Sequence, residues 1–185
     1  MNNQALKSLS DCYSPEIIAA AKKIRWLVLD VDGVLTDGRL YYGNNGEELK
    51  AFNIQDGLGI KLLQKAGIGV AVITGRSSAL VDRRARELGI NPVVQGREDK
   101  LTALQELQAL HPMALEEIAY IGDDLPDLAV IRRVGLGITP ANGRPHIAAH
   151  AVIQTNAAGG HGAVREIADL LISAQGQDAL FDTYL

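Results

Sequence analysis

Cysteine is almost absent from this chain of 185 residues, which has only Cys12. A single thiol cannot form an internal disulfide, and a reducing compartment fits that usage. The length is sufficient for one well-formed core, so we expect a single domain over residues 1–185.

Long hydrophobic runs and an excess of positive charge are also missing. The apolar runs are too short to span a bilayer, and the amino terminus lacks a charged region followed by an apolar core and a cleavage site. We therefore expect a cytoplasmic protein without a membrane partner. The formal net charge of −4 argues against a nucleic-acid partner.

Two signatures of nucleotide-binding folds are absent as well. The sequence contains neither G-x-x-x-x-G-K-[ST] nor G-x-G-x-x-G. It also shows no internal repeat and no low-complexity tract. Nucleotide-binding folds therefore lack their signatures here, and the chemistry must come from other motifs.

The most informative stretch that is present begins with the apolar run Trp26–Leu29, which Asp30 and Asp32 follow. A run without polar alternation is typical of a parallel strand covered by helices on both faces. Open α/β sheets bind ligands in the crevice beyond the carboxyl ends of their strands. The two aspartates are therefore expected at a ligand site.

Two carboxylates so close together repel unless a cation lies between them or one holds a proton. Mg²⁺ is usually bound by one or two carboxylates, water and phosphate oxygens, and it suits this pair. Gly33 permits a sharp turn and the close approach of a ligand. The alternative from these residues alone is a simple turn that ends the strand, since Asp and Gly both favour turns.

Strands and helices alternate along the rest of the chain, which predicts a doubly wound parallel sheet. Five further strands are expected at residues 68–73, 92–94, 118–121, 135–138 and 151–153. The only large insertion, residues 38–53, has two strand-like runs around a Gly/Asn turn and predicts a β-hairpin. Its Tyr41, Tyr42 and Phe52 would contact either a partner subunit or the chain's own surface.

Polar residues follow the second and fourth predicted strands. Thr74 would supply a hydroxyl donor to a phosphoryl oxygen. Asp123 follows a glycine and is free to bind a metal, while Asp124 is expected to cap the next helix. Asp56 is likewise expected to cap the helix that runs to Ala66.

Four motifs carry a resemblance to the haloacid-dehalogenase-type phosphatases. They occur in the family's order and spacing, namely Asp30-Val-Asp-Gly-Val-Leu-Thr36, Thr74-Gly-Arg, Lys100 and Gly122-Asp-Asp124. The resemblance covers nearly the whole chain, including Phe52-Asn-Ile-Gln-Asp-Gly57 and Gly159-Gly-His-Gly-Ala-Val-Arg-Glu166. It implies an α/β, doubly wound fold of that superfamily and hydrolysis of a phosphate ester.

The resemblance also implies roles for these residues. Asp30 would attack phosphorus, and Asp32 would protonate the leaving alcohol and then activate water. Mg²⁺ would be held by Asp30, the main-chain carbonyl of Asp32, and Asp123. Thr74 and Lys100 would complete the stabilisation of charge.

The insertion narrows the class, because it is too small to form the large cap domain of other relatives. The chain resembles the capless members, in which neighbouring subunits of a homotetramer complete each active site, and among them the phosphatases of octulosonate 8-phosphate in lipopolysaccharide biosynthesis. The substrate-binding residues that this implies are Asp32, Asn53, Ile54, Gln55, Asp56, Gly57, Lys61, Arg76, Arg84 and Lys100. Lys61 departs from the arginine expected there, and a lysine lacks the bidentate fork for a carboxylate. The tail, residues 174–185, would enter a neighbour's site or remain a loose terminus.

Two alternatives stay open at this point. One keeps the phosphatase chemistry with another sugar phosphate, such as a nonulosonate 9-phosphate. The other is a catalytically silent tetrameric scaffold, against which the intact Asp30, Asp32, Thr74, Lys100 and Asp123 argue.

Overall fold

A six-stranded parallel sheet forms the centre of the computed structural model, which describes residues 9–45 and 48–183. The strands lie in the order β5-β4-β1-β6-β7-β8. In chain order they are β1 (Trp26–Leu29), β4 (Gly69–Ile73), β5 (Val93–Val94), β6 (Ile118–Ile121), β7 (Leu136–Thr139) and β8 (Ile153–Gln154). This confirms the predicted doubly wound sheet, although the last two strands begin one or two residues later than the sequence suggested.

The helices cover both faces of this sheet. They are α1 (Leu9–Cys12), α2 (Pro15–Ala21), α3 (Ile54–Lys65), α4 (Ala79–Leu88), α5 (Lys100–Leu110), α6 (Leu125–Ile131), α7 (Pro145–Ala148), α8 (Ala163–Ala174) and α9 (Ala179–Asp182). Leu27 and Leu29 pack into the cluster that contains α3, α4 and α8, whereas Val28 packs into the cluster that contains α5 and α6. Successive strand residues point to opposite faces, so β1 is apolar throughout because both faces are covered. No helix in the described ranges is long and apolar enough to cross a membrane.

The register of β1 aligns three functional loops. Leu29 lies opposite Val72 of β4 and Ile121 of β6, in parallel pairing on both sides. The residues that follow these strands therefore emerge together at the carboxyl edge of the sheet, the position at which open α/β folds bind ligands.

The predicted hairpin is present but very short. Tyr41–Tyr42 (β2) pairs antiparallel with Glu48–Leu49 (β3) outside the main sheet. Two-residue strands are too short for independent stability, so the hairpin depends on other contacts. Part of its predicted turn lies outside the described residues.

The prediction that Asp56 caps α3 is wrong. The helix begins at Ile54, and Asn53 is its N-cap, with Oδ1 accepting the backbone N–H of Gln55 at 2.7 Å. Asp56 lies inside the first turn instead. Its carboxylate accepts the backbone N–H groups of Gly162 at 3.3 Å and Arg165 at 2.8 Å, so it caps the start of α8, whose packing against α3 brings it there.

The carboxyl-terminal tail is partly helical and packs on the chain itself. Its α9 follows α8, and Leu180 and Phe181 lie against the main core cluster. Residues 184 and 185 lie outside the described part of the chain. Described residues of the tail thus contact their own subunit, and entry into a neighbour's site remains a prediction.

Candidate active site

Asp30 lies where β1 ends, and the backbone holds its carboxylate in place. The residue is 6% exposed, and its Oδ1 accepts the backbone N–H of Val31 at 2.7 Å. Its Oδ2 lies 2.8 Å from Nζ of Lys100, the first residue of α5. A lysine that the sequence alone would place on the surface is therefore buried beside the proposed nucleophile.

Asp127 connects Lys100 to the loop that follows β6. Its Oδ1 lies 2.6 Å from Lys100 Nζ and accepts the hydroxyl of Tyr120 at 2.6 Å. Its Oδ2 accepts the backbone N–H groups of Asp123 at 3.0 Å and Asp124 at 3.2 Å. Sequence reasoning gave Asp127 and Tyr120 no role. The available signal was the spacing of Asp127, one helical turn after Asp123 and at N3 of α6, whose N-cap is Asp124 as predicted.

Burial and repulsion disturb the ionisation of this cluster. Burial, followed by the charge of Asp127, raises the pKa of Asp30 to about 6. Burial, followed by the charge of Asp30, raises the pKa of Asp123 to about 7. For Lys100 burial opposes the charge, but the carboxylates of Asp30 and Asp127 outweigh it and raise its pKa. One ammonium does not compensate this group of carboxylates.

The cluster has the donor set for a divalent cation. Carboxylate oxygens of Asp30, Asp123 and Asp127 lie within 4.8 Å of one another. Both Asp127 oxygens accept hydrogen bonds, and the two Asp30 oxygens contact the Val31 N–H and Lys100, so the Asp123 carboxylate is the least engaged of the three. Gly33 provides the space, because a Cβ there would lie 2.1 Å from Asp123 Oδ2, and its φ of +88° favours glycine. Hard oxygen donors of this kind fit Mg²⁺.

Thr74 and Asp32 follow the paired strands β4 and β1, at the same edge of the sheet as this centre. Thr74 follows β4, is 2% exposed, and its backbone N–H donates to Val94 O at 2.9 Å. Asp32 follows β1 but its side chain turns away from the cluster. It forms ion pairs with Lys50 of the hairpin segment and, at 3.8 Å, with Arg76. Lys50 had no sequence signal, because only the path of the hairpin brings it to Asp32.

The predicted substrate residues divide into three groups. Ile54 and Arg84 line a cavity of about 290 Å³ together with Phe52, Leu80 and Lys50. Gln55 is exposed beside them, and Arg84 donates to Asn53 O at 3.3 Å.

Asp56 is 1% exposed and Gly57 is packed under Arg84, so these two shape the site from inside the chain rather than line it. Lys61 lies on an exposed part of α3, two turns or about 10 Å beyond its start.

A second and larger cavity of about 930 Å³ is lined by residues of α1, α8 and α9 and the adjoining turns. None of the predicted site residues lines it. The predicted site residues therefore lie at the strand ends rather than in the larger of these two cavities.

Comparison with known proteins agrees with this geometry. Residues 58–135 match the family model "haloacid dehalogenase-like hydrolase". The 3-deoxy-D-manno-octulosonate 8-phosphate phosphatase of Escherichia coli strain K12 is 49% identical over 178 residues, which cover 95% of each chain.

Solved structures give the same result. The 3-deoxy-D-manno-octulosonate 8-phosphate phosphatase of Moraxella catarrhalis, solved in complex with magnesium, phosphate and a KDO molecule, superposes with a TM-score of 0.91 at 48% identity over 94% of this chain and 100% of that one. The cobalt-bound deoxy-D-mannose-octulosonate 8-phosphate phosphatase of Haemophilus influenzae gives 0.85 at 40% identity over 89% and 96%. The chain therefore belongs to the haloacid dehalogenase-like hydrolases and, within them, to the family of the 3-deoxy-D-manno-octulosonate 8-phosphate phosphatases.

Proposed function

We propose that this protein is a Mg²⁺-dependent phosphomonoesterase that hydrolyses 3-deoxy-D-manno-octulosonate 8-phosphate to the free sugar acid and phosphate, a step of lipopolysaccharide biosynthesis. The observation that carries the proposal is the buried contact between Asp30 and Lys100 beside Asp123. The Escherichia coli phosphatase that acts on this substrate is 49% identical over 95% of the chain, which also supports the proposal.

In the first step a carboxylate oxygen of Asp30 attacks phosphorus. The buried Lys100 ammonium and the Val31 N–H keep this side chain fixed, so little reorganisation precedes the attack. The bond between phosphorus and the ester oxygen breaks as Asp32 donates a proton to that oxygen. Lys100 and the Thr74 hydroxyl face the charge that develops on the phosphoryl oxygens.

In the second step Asp32 accepts a proton from water as the water oxygen attacks the aspartyl-phosphate. Phosphate leaves and the Asp30 carboxylate is restored. Asp30, Asp123 and the carbonyl of Asp32 would hold Mg²⁺, which when bound supplies positive charge to the phosphoryl group. The sugar carboxylate and hydroxyls would bind beside Arg76 and in the cavity that Arg84 lines.

The assembly and its location remain predictions, namely a cytoplasmic homotetramer. The hairpin supports the tetramer, because Leu40, Tyr41, Tyr42 and Leu49 are between 41% and 67% exposed and offer apolar area to a neighbour. Light scattering after size exclusion tests this prediction, and a monomer at micromolar concentration would contradict it.

The function is tested by phosphate release from 3-deoxy-D-manno-octulosonate 8-phosphate beside a panel of other sugar phosphates, including a nonulosonate 9-phosphate, each with Mg²⁺ and with EDTA. We expect strong preference for the octulosonate and complete loss with EDTA. Preference for another sugar phosphate would retain the chemistry and reject the substrate, and silence across the panel would favour a scaffold.

A further inference from the structure

The hairpin places one lysine against the proposed acid–base residue. The side chain of Lys50 is 1% exposed, and its Nζ forms ion pairs with Asp32 and, at 3.4 Å, with Glu48. A buried ammonium is costly unless carboxylates compensate it. The position of Lys50 is therefore determined by these two carboxylates.

Arg76 completes a group of two anions and two cations. It lies 3.8 Å from Asp32 and 3.7 Å from Glu48, but its side chain is 45% exposed. Water screens an exposed pair far more than a buried one. Of the two cations, Lys50 therefore restrains Asp32 more strongly. Glu48 Oε1 is buried without a hydrogen-bond donor among the described residues, so it responds to both cations through charge alone.

The orientation of Asp32 matters because a general acid must lie within hydrogen-bond reach of the oxygen that it protonates. Asp32 belongs to a loop, and its side chain is 21% exposed, unlike the buried Asp30. The core does not immobilise it. The hairpin therefore supplies, through Lys50, the restraint that burial supplies to the nucleophile.

We propose that Lys50 is a positioning residue for the acid–base steps, which it serves by fixing the Asp32 carboxylate. Lys50 transfers no proton itself. Asp32 gives its proton to the leaving oxygen when the P–O bond breaks, and it takes one from water when the aspartyl-phosphate is hydrolysed. This inference rests on the proposed phosphatase function and adds the hairpin to its mechanism.

The competing role is direct binding of substrate by Lys50, and leaving-group dependence separates the two. Phenyl and p-nitrophenyl phosphate share a phosphoryl group and an aromatic ring, but p-nitrophenolate leaves readily without a proton. The ratio kcat/KM reports steps through the departure of the leaving group. A positioning role therefore affects phenyl phosphate much more than p-nitrophenyl phosphate, because only the poorer leaving group requires the proton.

The experiment measures kcat/KM of Lys50→Met with octulosonate 8-phosphate and with both aryl phosphates, together with inhibition by inorganic phosphate. Lys23→Met, which replaces an exposed lysine in the turn after α2, is the matched control. We expect a loss of about 10-fold or more with the sugar phosphate and phenyl phosphate, and of less than about 3-fold with p-nitrophenyl phosphate. Phosphate inhibition and the control variant should remain unchanged.

Other outcomes overturn the proposal. Equal losses on all three esters with weaker phosphate inhibition mean that Lys50 binds the phosphoryl group. A loss confined to the sugar phosphate means that it binds the sugar. If the unmodified enzyme hydrolyses none of the esters, the proposed function itself fails, which distinguishes the two failures.

Two further variants keep the test decisive if Lys50→Met is unstable. Lys50→Arg retains the charge but shifts its contact, and we expect the same change in the ratio of the aryl phosphates by a smaller factor. In an Asp32→Asn background, Lys50→Met should cost little more than Asp32→Asn alone, because both act through the same carboxylate. An unchanged ratio in Lys50→Arg, or additive losses in the double variant, contradicts the positioning role.

Discussion

The carboxyl edge of the sheet and the hairpin both contribute charged groups to one site, yet they hold those groups by different means. At the sheet edge, Asp30, Lys100 and Asp127 are between 1% and 6% exposed and are joined at 2.6–2.8 Å. In the hairpin, Glu48 lies on a two-residue strand and Lys50 follows that strand. Charged contacts connect these two residues to Asp32 and Arg76.

The charged groups of the two regions should therefore respond differently to mutation. The proposed nucleophile Asp30 and its lysine are placed by strand register and core packing, so a change there should abolish chemistry or unfold the protein. The proposed acid–base residue Asp32 is held by a peripheral segment, so changes there should lower the activity without abolishing it. The following predictions test that contrast, beginning with the largest expected effect.

Asp30→Asn removes the nucleophile and should lower kcat by roughly 10³-fold or more while the fold is retained. The amide keeps the shape of the side chain but cannot attack phosphorus. Steady-state phosphate release and circular dichroism measure the two effects. Substantial residual turnover in a pure sample would reject Asp30 as nucleophile.

Asp127→Asn replaces the carboxylate that contacts both the Lys100 ammonium and the Tyr120 hydroxyl with a neutral amide. We expect kcat to fall about 100-fold, and the free energy of unfolding in urea to fall by about 3 kcal/mol, because a buried pair loses its charge. Asp169→Asn breaks a half-exposed i,i+4 pair with Arg165 and should cost about 0.5 kcal/mol. Equal costs for the two variants would contradict the contrast between buried and exposed pairs.

Gly33→Ala should weaken Mg²⁺ activation by about 10-fold or more, because the new Cβ would meet the Asp123 carboxylate. Gly67→Ala is the control, since Gly67 has a φ of +81° with no atom within 4 Å of the added Cβ. Both variants carry similar backbone strain. Magnesium titration of activity should separate them, and similar curves would show that strain alone matters.

The pH dependence of stability should reveal the crowded carboxylates. The metal-free folded protein binds more protons than the unfolded chain between about pH 4 and 7, because the pKa values of Asp30 and Asp123 are raised to about 6 and about 7. These two groups should therefore make the free energy of unfolding fall as pH rises through that window. Saturating Mg²⁺ should oppose the fall. Urea titrations with and without Mg²⁺ check it, and a decline that Mg²⁺ leaves unchanged would contradict the metal assignment.

The smallest effect is expected at the rim of the hairpin. Tyr42→Phe removes a 3.3 Å hydrogen bond to Arg76 from a side chain that is 65% exposed. We expect kcat/KM to change by less than about 2-fold, because water replaces this partner. Tyr41→Phe, which loses a contact to Asp37, is the matched comparison. If Tyr42→Phe lowered kcat/KM as much as Lys50→Met does, Tyr42 would also help to position Asp32.

The same contrast explains how much of the site could be predicted from the sequence. Asp30, Thr74 and Asp123 follow apolar strands, and a strand end is a local signal. Their meeting at one edge follows from parallel topology. The cap that Asp56 forms on α8 could not be predicted, because local spacing favours the helix on which Asp56 itself lies.

Contacts between residues that are distant in the sequence could not be predicted either. Lys100 has the sequence context of a surface lysine, and only the packing of α5 brings it to Asp30. Lys50 reaches Asp32 only through the path of the hairpin. The only sequence signal for Asp127 was its spacing from Asp123, and its contacts to Tyr120 and Lys100 depend on three elements. Polar contacts between distant segments have no periodicity to reveal them.

The most direct test of the whole account is the location of the covalent phosphate during turnover. Octulosonate 8-phosphate labelled in its phosphoryl group is mixed with enzyme and Mg²⁺, quenched in acid within one turnover, and the labelled peptide is mapped. The account predicts label on Asp30 in both the unmodified enzyme and Lys50→Met, formed more slowly in the variant. Label on another residue, or no covalent label at any time during turnover, would contradict it.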